Sequence, residues 1–349
     1  MSTADKQSPL TRLDRLLERV HVQRTTGRML ALVVLAFALF AGLAPNVFLS
    51  TINLQNIALS TPEIGVLAIA MMLAMLTGGI DLSLVSIANL SAITTSTLYT
   101  AILAADPVRA ESMTALIVLA GVLVGLACGA VNGLLVAVVG ITPILATLGT
   151  MQIYNGLAVA WTGGTTLYGA PAALTSTGLA TLAGVPVLFL AFLLVAVGVG
   201  ALLNRTPLGL KVRLQGANPT AARYSGIRGR SVLMSTYLLT GVLGGVAGVL
   251  FLARNPTASA DYGASYVLLV IVIAVLGGTN PNGGHATVLG VVLAALTLQI
   301  VSSGFTAVRL SAYEYAMAQG VILIVVMVLD QISWRRRRRR GRAAAPALS

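Results

Sequence analysis

Charge is what this sequence has least of. Only 9% of its 349 residues are Asp, Glu, Lys or Arg, while 57% are hydrophobic and the mean hydropathy is +0.91. A soluble globular domain carries roughly 25% charged residues. Between Glu111 and Arg205 lie 93 residues without Asp, Glu, Lys, Arg or His. A soluble fold needs a charged outer face that such a stretch does not have, so it sits in lipid. A membrane β-barrel needs segments of about ten residues alternating apolar with polar. Stretches such as 31–40, ALVVLAFALF, are apolar on every side and exclude it. The fold class that remains is an all-α polytopic membrane protein.

Scarce reactive residues exclude most chemistry. The single cysteine, Cys128, permits no intrachain disulfide and no cysteine metal site. The two histidines, His21 and His285, stand in unlike settings, so no metal site is expected. Lys6 and Lys211 are the only lysines and neither follows glycine, so the chain has no phosphate-cradling G-x-x-x-x-G-K-[ST] loop. There is no H-E-x-x-H, no G-x-S-x-G and no carboxylate pair placed to act as acid and base. The chain is therefore expected not to be an enzyme.

The net charge of +12 comes from three basic clusters: six residues within 1–28, six from Arg205 to Arg230, and seven from Arg335 to Arg342. Positive segments resist translocation, so all three are expected in the cytoplasm, separated by even numbers of spans. Ten spans satisfy this: roughly 29–47, 61–79, 83–104, 113–139, 142–162, 184–203, 232–253, 265–278, 286–305 and 312–330. The chain then divides into a cytoplasmic amphipathic leader (1–28), a transmembrane domain (29–333) and a basic cytoplasmic tail (334–349), both termini inside. In the leader, Ser8 and Pro9 start a helix whose leucine stripe opposes Arg12, Arg15 and Arg19, suited to a lipid surface. Arg335–Arg340 directly follow an apolar helix, which marks a stop-transfer anchor rather than a nucleic-acid signal.

Within the spans, Gly121, Gly125, Gly129 and Gly133 recur every four residues, and Gly241, Gly244, Gly245 and Gly248 repeat the pattern. Such rows let helix backbones approach closely, so helix packing is expected of them, with Asn132 placed to hydrogen-bond across the contact. Gly78–Gly79 and Gly277–Gly278 each follow an apolar run and precede a polar turn, which suggests a weak internal repeat. Asp81 opens an uncharged run and is read as the N-cap of the 83–104 span, with Ser83 as the alternative cap. Glu63, after Pro62, is read in the same way. The rival role for Asp81 is that of proton carrier in a secondary transporter. Gln152, Asn155 and Gln299 are intramembrane amides that line a pathway or bridge helices.

The loop 204–231 contains TPLGLKVRLQGANPTAARYSGIRGR, with no acid in it. Asn218 and Pro219 supply a cap and first-turn proline for a short helix, Thr220–Tyr224, ending near Gly226. A capped helix amid basic residues suggests a docking element beyond a topology marker or lipid contact.

Four stretches, TGGIDLSLVSIANLSA (77–92), NGLLVAVVGITPILATLGTMQIYNGLAVAWTGG (132–164), TPLGLKVRLQGANPTAARYSGI (206–227) and LGGTNPNGGHATVLGVVLAALTLQIVSSG (276–304), resemble the ribose-type permeases of bacterial ATP-binding-cassette sugar importers. The resemblance covers most of residues 60–333. It implies an inner-membrane permease for a monosaccharide or similar polyhydroxylated solute. Its partners would be a cytoplasmic ATPase that binds ATP and Mg, a second permease subunit, and a periplasmic sugar-binding protein. No cofactor is implied in this chain. It also implies that the 217–227 helix is the ATPase-coupling element, with Asn218, Ala221, Ala222, Arg223 and Gly226 as its residues. Thr220 stands where many relatives have an acid, and Asn280, Pro281, Asn282 and His285 are unusual for their segment.

Overall fold

The computed structural model describes residues 24–311, 313–318, 320, 321 and 324. The leader helix, the basic tail and most of the 312–330 span lie outside the described residues. Among those described, seven helices are long and apolar enough to cross a membrane. They are α1 (Arg24–Leu43), α3 (Thr51–Leu76), α4 (Leu84–Ala105), α6 (Thr114–Gly133, continued by a π-helical turn over Leu134–Val139), α9 (Val187–Arg205), α12 (Gly229–Arg254) and α14 (Val288–Ala307). Short helices α2 (Pro45–Phe48), α5 (Pro107–Ser112) and α8 (Ala172–Leu179) link them at one end. At the other end lie α10 (Pro207–Ala217) and α11 (Pro219–Tyr224). The expected 142–162 and 265–278 spans correspond to α7 (Pro143–Thr162) and α13 (Tyr266–Leu276). α7 has 20 residues but, interrupted by Thr147, Thr150, Gln152 and Asn155, is not among the seven. α13 has 11 residues, which at 1.5 Å each reach about 17 Å against a hydrocarbon core of about 30 Å. It is too short to cross on its own.

The core forms where α12 is wedged between α4 and α6. The glycine rows do what close packing requires: a Cβ on Gly125 would lie 2.5 Å from the Gly241 carbonyl oxygen and 2.8 Å from Gly245 Cα. On the other face of α12, Gly244 meets Ile87 and Gly248 meets the backbone of Ala88. On the α6 face, around Gly125 and Gly129, the antiparallel backbones of α6 and α12 touch with no side chain between them, which gives the dispersion contact that drives association in lipid. α3 is the most buried of the long helices, every residue from Thr61 to Leu76 being buried.

Away from the basic loop, β1 (Leu167–Tyr168) pairs antiparallel with β4 (Thr257–Ala258), tying the connection after α7 to the one after α12. β2 (Thr181–Leu182) and β3 (Val185–Pro186) form a hairpin closed by Ala183 and Gly184, both at positive φ, as a type I′ turn demands.

One expected helix start and two expected caps are corrected. The second span begins at Thr51 rather than 61, because Ser50 accepts from Asn53 N at 3.3 Å and Asn53 itself bonds Phe48 O and Ser303. Those partners satisfy Asn53, one of the polar residues that make 51–60 look like a loop. Pro62 thus sits inside the helix and Glu63 caps nothing. Likewise α4 begins at Leu84 with Ser83 as N-cap residue, but the Ser83 side chain makes no capping bond. Asp81 instead folds back on Ser83.

Candidate functional site

A polar centre is built where α4, α6, α7 and α12 meet. Asp81 and Ser83 are wholly buried at the start of α4. Asp81 Oδ1 accepts from Ser83 N at 3.1 Å and from Ser83 Oγ at 2.6 Å, and Oδ2 accepts from Thr240 Oγ1 on α12 at 3.2 Å. Asn132, fully buried on α6, donates to Ser83 Oγ at 2.7 Å and accepts from Thr150 Oγ1 of α7 at 2.7 Å. Thr147 completes the ring: its hydroxyl bonds Ile80 O at 3.0 Å and receives Leu82 N at 3.1 Å. Each buried side-chain polar atom of Asp81, Ser83, Asn132, Thr147, Thr150 and Thr240 has a protein partner, which is what a group in hydrocarbon needs, whereas the neighbouring Tyr237 hydroxyl, buried on α12 beside Gly79, has none among the described residues. The structure therefore brings Asp81 and Asn132 together through Ser83. The sequence reading missed Ser83 as the bridge, and Thr147, Thr150 and Thr240 altogether; hydroxyls interrupting apolar spans were the available signal.

The remaining amides do not join this centre. Asn155 is half-buried and reaches Ala260 O at 3.5 Å. Gln152 is exposed on the outer face of α7, and Gln299 is half-buried on α14 without a side-chain hydrogen bond among the described residues.

The basic loop folds as its spacing indicates. Asn218 Oδ1 accepts from Ala221 N at 3.0 Å, Pro219 opens α11, and Gly226 at φ +80° turns the chain out of it. α10 precedes it, capped by Thr206 accepting from Gly209 N at 3.3 Å. Ala222 is buried against the rest of the chain, whereas Ala221, Arg223 and Tyr224 are exposed. The helix therefore stands on one small residue and presents the others outward.

A second polar cluster lies at the far end of α12. Glu63, deep in α3, accepts from Arg254 Nη1 and from Tyr262 Oη, each at 3.1 Å, and Tyr262 stacks on Phe251 with ring centroids 3.4 Å apart. Glu63 Oε2 is buried without a partner among the described residues, beside a void of about 10 Å³ lined by Asn89, Tyr262 and Tyr266. That is the size of one water molecule. Nearer the surface, Glu111 accepts from Tyr99 Oη at 2.7 Å and from Ala172 N at 3.1 Å at the start of α8. The Tyr99 hydroxyl and then the Ala172 and Ala173 amides, the latter donating to Glu111 Oε2 at 3.4 Å, hold its carboxyl below the ordinary glutamate value. Among the described residues no three of His, Cys, Asp and Glu come together to hold a metal ion.

The profile of a family described as "Branched-chain amino acid transport system / permease component" matches residues 53–328. The chain is similar to the D-allose transport system permease protein AlsC of Escherichia coli, at 31% identity over 87% of this chain and 90% of that protein. It is 33% identical to the autoinducer 2 import system permease protein LsrD of Yersinia pseudotuberculosis, over 90% and 96% of the two chains. It is 30% identical to the ribose import permease protein RbsC of Bacillus subtilis, again over 90% and 96%. No solved structure matches the chain.

Proposed function

The chain belongs to the ribose-type permease family of ATP-binding-cassette importers, and from that membership we propose that it carries a monosaccharide or similarly small polyhydroxylated solute inward, driven by a separate ATPase. It is a multi-pass protein of the bacterial inner membrane and a transport subunit without an ATPase site of its own. In the proposed assembly a second permease subunit, identical or paralogous, completes the pathway, and a periplasmic binding protein delivers the solute. ATP and Mg are bound by the cytoplasmic ATPase.

The observation that supports this reading is α11. It is short, capped at both ends by Asn218 and Gly226, flanked by basic residues, and exposes Ala221, Arg223 and Tyr224. Such a projection suits a groove in a partner protein better than a lipid surface, because it has no apolar stripe to insert. In this reading Asn218, Ala221, Ala222, Arg223 and Gly226 form the seat on the ATPase, and the cytoplasmic side is the side of the basic loop.

The test compares Ala221→Glu with Arg228→Gln by co-purification of the ATPase and by solute uptake in proteoliposomes holding the full set of subunits. Docking through α11 requires the Ala221 variant to lose both, while the Arg228 variant retains them. Normal ATPase binding and uptake in Ala221→Glu would defeat the assignment. Uptake driven by a pH gradient with no ATPase present would defeat the importer reading itself.

A further inference from the structure

Three chain segments meet backbone to backbone just ahead of α11 in the chain. The end of α10 contributes Gly216 and Ala217, the end of α3 contributes Leu76, and the turn between α13 and α14 contributes Gly283 and Gly284. Gly284 N donates to Leu76 O at 3.0 Å. A Cβ on Gly216 would overlap the Leu76 carbonyl oxygen and lie 2.7 Å from Gly284 N. A Cβ on Gly283 would lie 2.6 Å from Gly216 O and 3.0 Å from Gly78 N, and one on Gly284 would lie 2.8 Å from Ala217 Cα. Gly283 and Gly284 also stand at φ +93° and +84°, a conformation that suits glycine. The turn is itself braced: Asn280 Nδ2 donates to Gly283 O at 3.0 Å and Asn280 N to His285 O at 2.9 Å.

What this contact connects gives it meaning. On one side only Asn218 separates Ala217 from α11. On the other, the turn after Leu76 reaches Asp81 within five residues, and Asp81 is tied to α4 through Ser83 and to α12 through Thr240. The α3 and α13 ends are built alike. Gly78 and Gly278 take φ +83° and +88°, Gly79 N bonds Ala74 O at 3.1 Å, and Thr279 N bonds Ala274 O at 3.0 Å.

We propose that Gly216, Gly283 and Gly284 form a rigid joint that passes displacement of α11 directly to the ends of α3 and the α13–α14 turn, and so to the polar centre at Asp81. The inference rests on the reading of α11 as the ATPase seat. Side chains change rotamer under load and absorb a push, whereas backbone in van der Waals contact and hydrogen-bonded does not. Gly216, Gly283 and Gly284 are in this sense positioning residues for transport.

Two measurements on the assembled complex test it. In a Cys128→Ser background, spin labels go on exposed positions that leave the joint intact and are not among the seat residues, Ser225→Cys with Asn282→Cys, and Ser225→Cys with Val108→Cys. Between the nucleotide-free and vanadate-trapped states, a rigid joint keeps the 225–282 distance constant while the 225–108 distance changes. A 225–282 distance that changes as much as the other pair overturns the proposal. The second measurement is uptake per ATP hydrolysed in Gly216→Ala. With the complex assembled and hydrolysis within about twofold of the parent, it is expected to fall about tenfold. An unchanged ratio also overturns the joint. If Gly216→Ala does not assemble, the distances decide. Failure of the α11 seat would show separately, as ATPase retained by Ala221→Glu, and would leave the labelled distances as they are.

Discussion

Arg254 Nη1 lies 3.1 Å from Glu63 Oε1, joining the far end of α12 to the middle of α3 across 191 positions of sequence. Glu63 is almost wholly enclosed, and the Arg254 side chain is 30% exposed. Removing the cation leaves a carboxylate in an apolar setting with only Tyr262, among the described residues, donating to it. Arg254→Met should therefore destabilise the protein by about 2–3 kcal/mol, less than for a fully buried pair because Arg254 is partly solvated. Glu63→Gln with Arg254→Met should recover most of that. Thermal unfolding of the detergent-purified protein measures both, and equal stability of the single and double variants would contradict the account.

The α6–α12 contact gives a prediction with a built-in control. Gly125→Ala places a methyl group 2.5 Å from Gly241 O, and overpacking of this kind costs about 1–3 kcal/mol. Gly198→Ala, in α9 with nothing within 4 Å of its added Cβ, should be neutral or stabilising by up to about 1 kcal/mol. The monodisperse fraction after heating should fall for the first and hold for the second.

Asp81 separates a structural acid from a proton carrier. Asparagine can keep the same geometry: its Oδ1 accepts from Ser83, its Nδ2 donates to Thr240, and the one Thr240 hydroxyl proton, given to Asp81 in the parent, turns to Tyr237 O at 3.0 Å. Asp81→Asn should therefore retain ATP-driven uptake within about threefold, whereas Asp81→Ala, which orphans buried donors, should cost about 2–4 kcal/mol of stability. A protein that uses Asp81 to carry protons would lose all uptake in the Asn variant.

Glu111 gives a pH dependence with a defined sign. Its folded-state value is lowered, chiefly by the Tyr99 hydroxyl and then by the Ala172 amide. The tie to α8 is therefore fully present above the ordinary glutamate value and is lost as pH falls through the lowered one. Hydrogen exchange at Ala172 and Ala173, corrected for the intrinsic rate, should accelerate over that acidic interval and not between neutral and mildly acidic pH. Glu111→Gln should abolish the transition.

Much of this protein is decided by composition and spacing. Lipid as solvent follows from 93 residues without charge, and helices follow from lipid because each backbone polar group must be paired within its own segment. The cap and turn of α11 are equally local: Asn218, Pro219 and Gly226 act on residues within a few positions of themselves. The glycine rows announce close packing, since their spacing on a helix depends on nothing else.

Tertiary structure decided everything that depends on a partner distant in sequence. Glu63 looks like a helix cap until Arg254 and Tyr262 arrive from the far end of the chain. The start of α3 stays hidden because Asn53 reads as loop polarity until Ser303 pairs with it. Gly216, Gly283 and Gly284 carry no periodic signal, and only the meeting of three chain segments shows that each is the one residue with room for another backbone. The physical reason is the same in each case. Burial makes an unpaired polar atom or an extra methyl group costly, and which atoms are buried together is a property of the assembled bundle, not of any one helix.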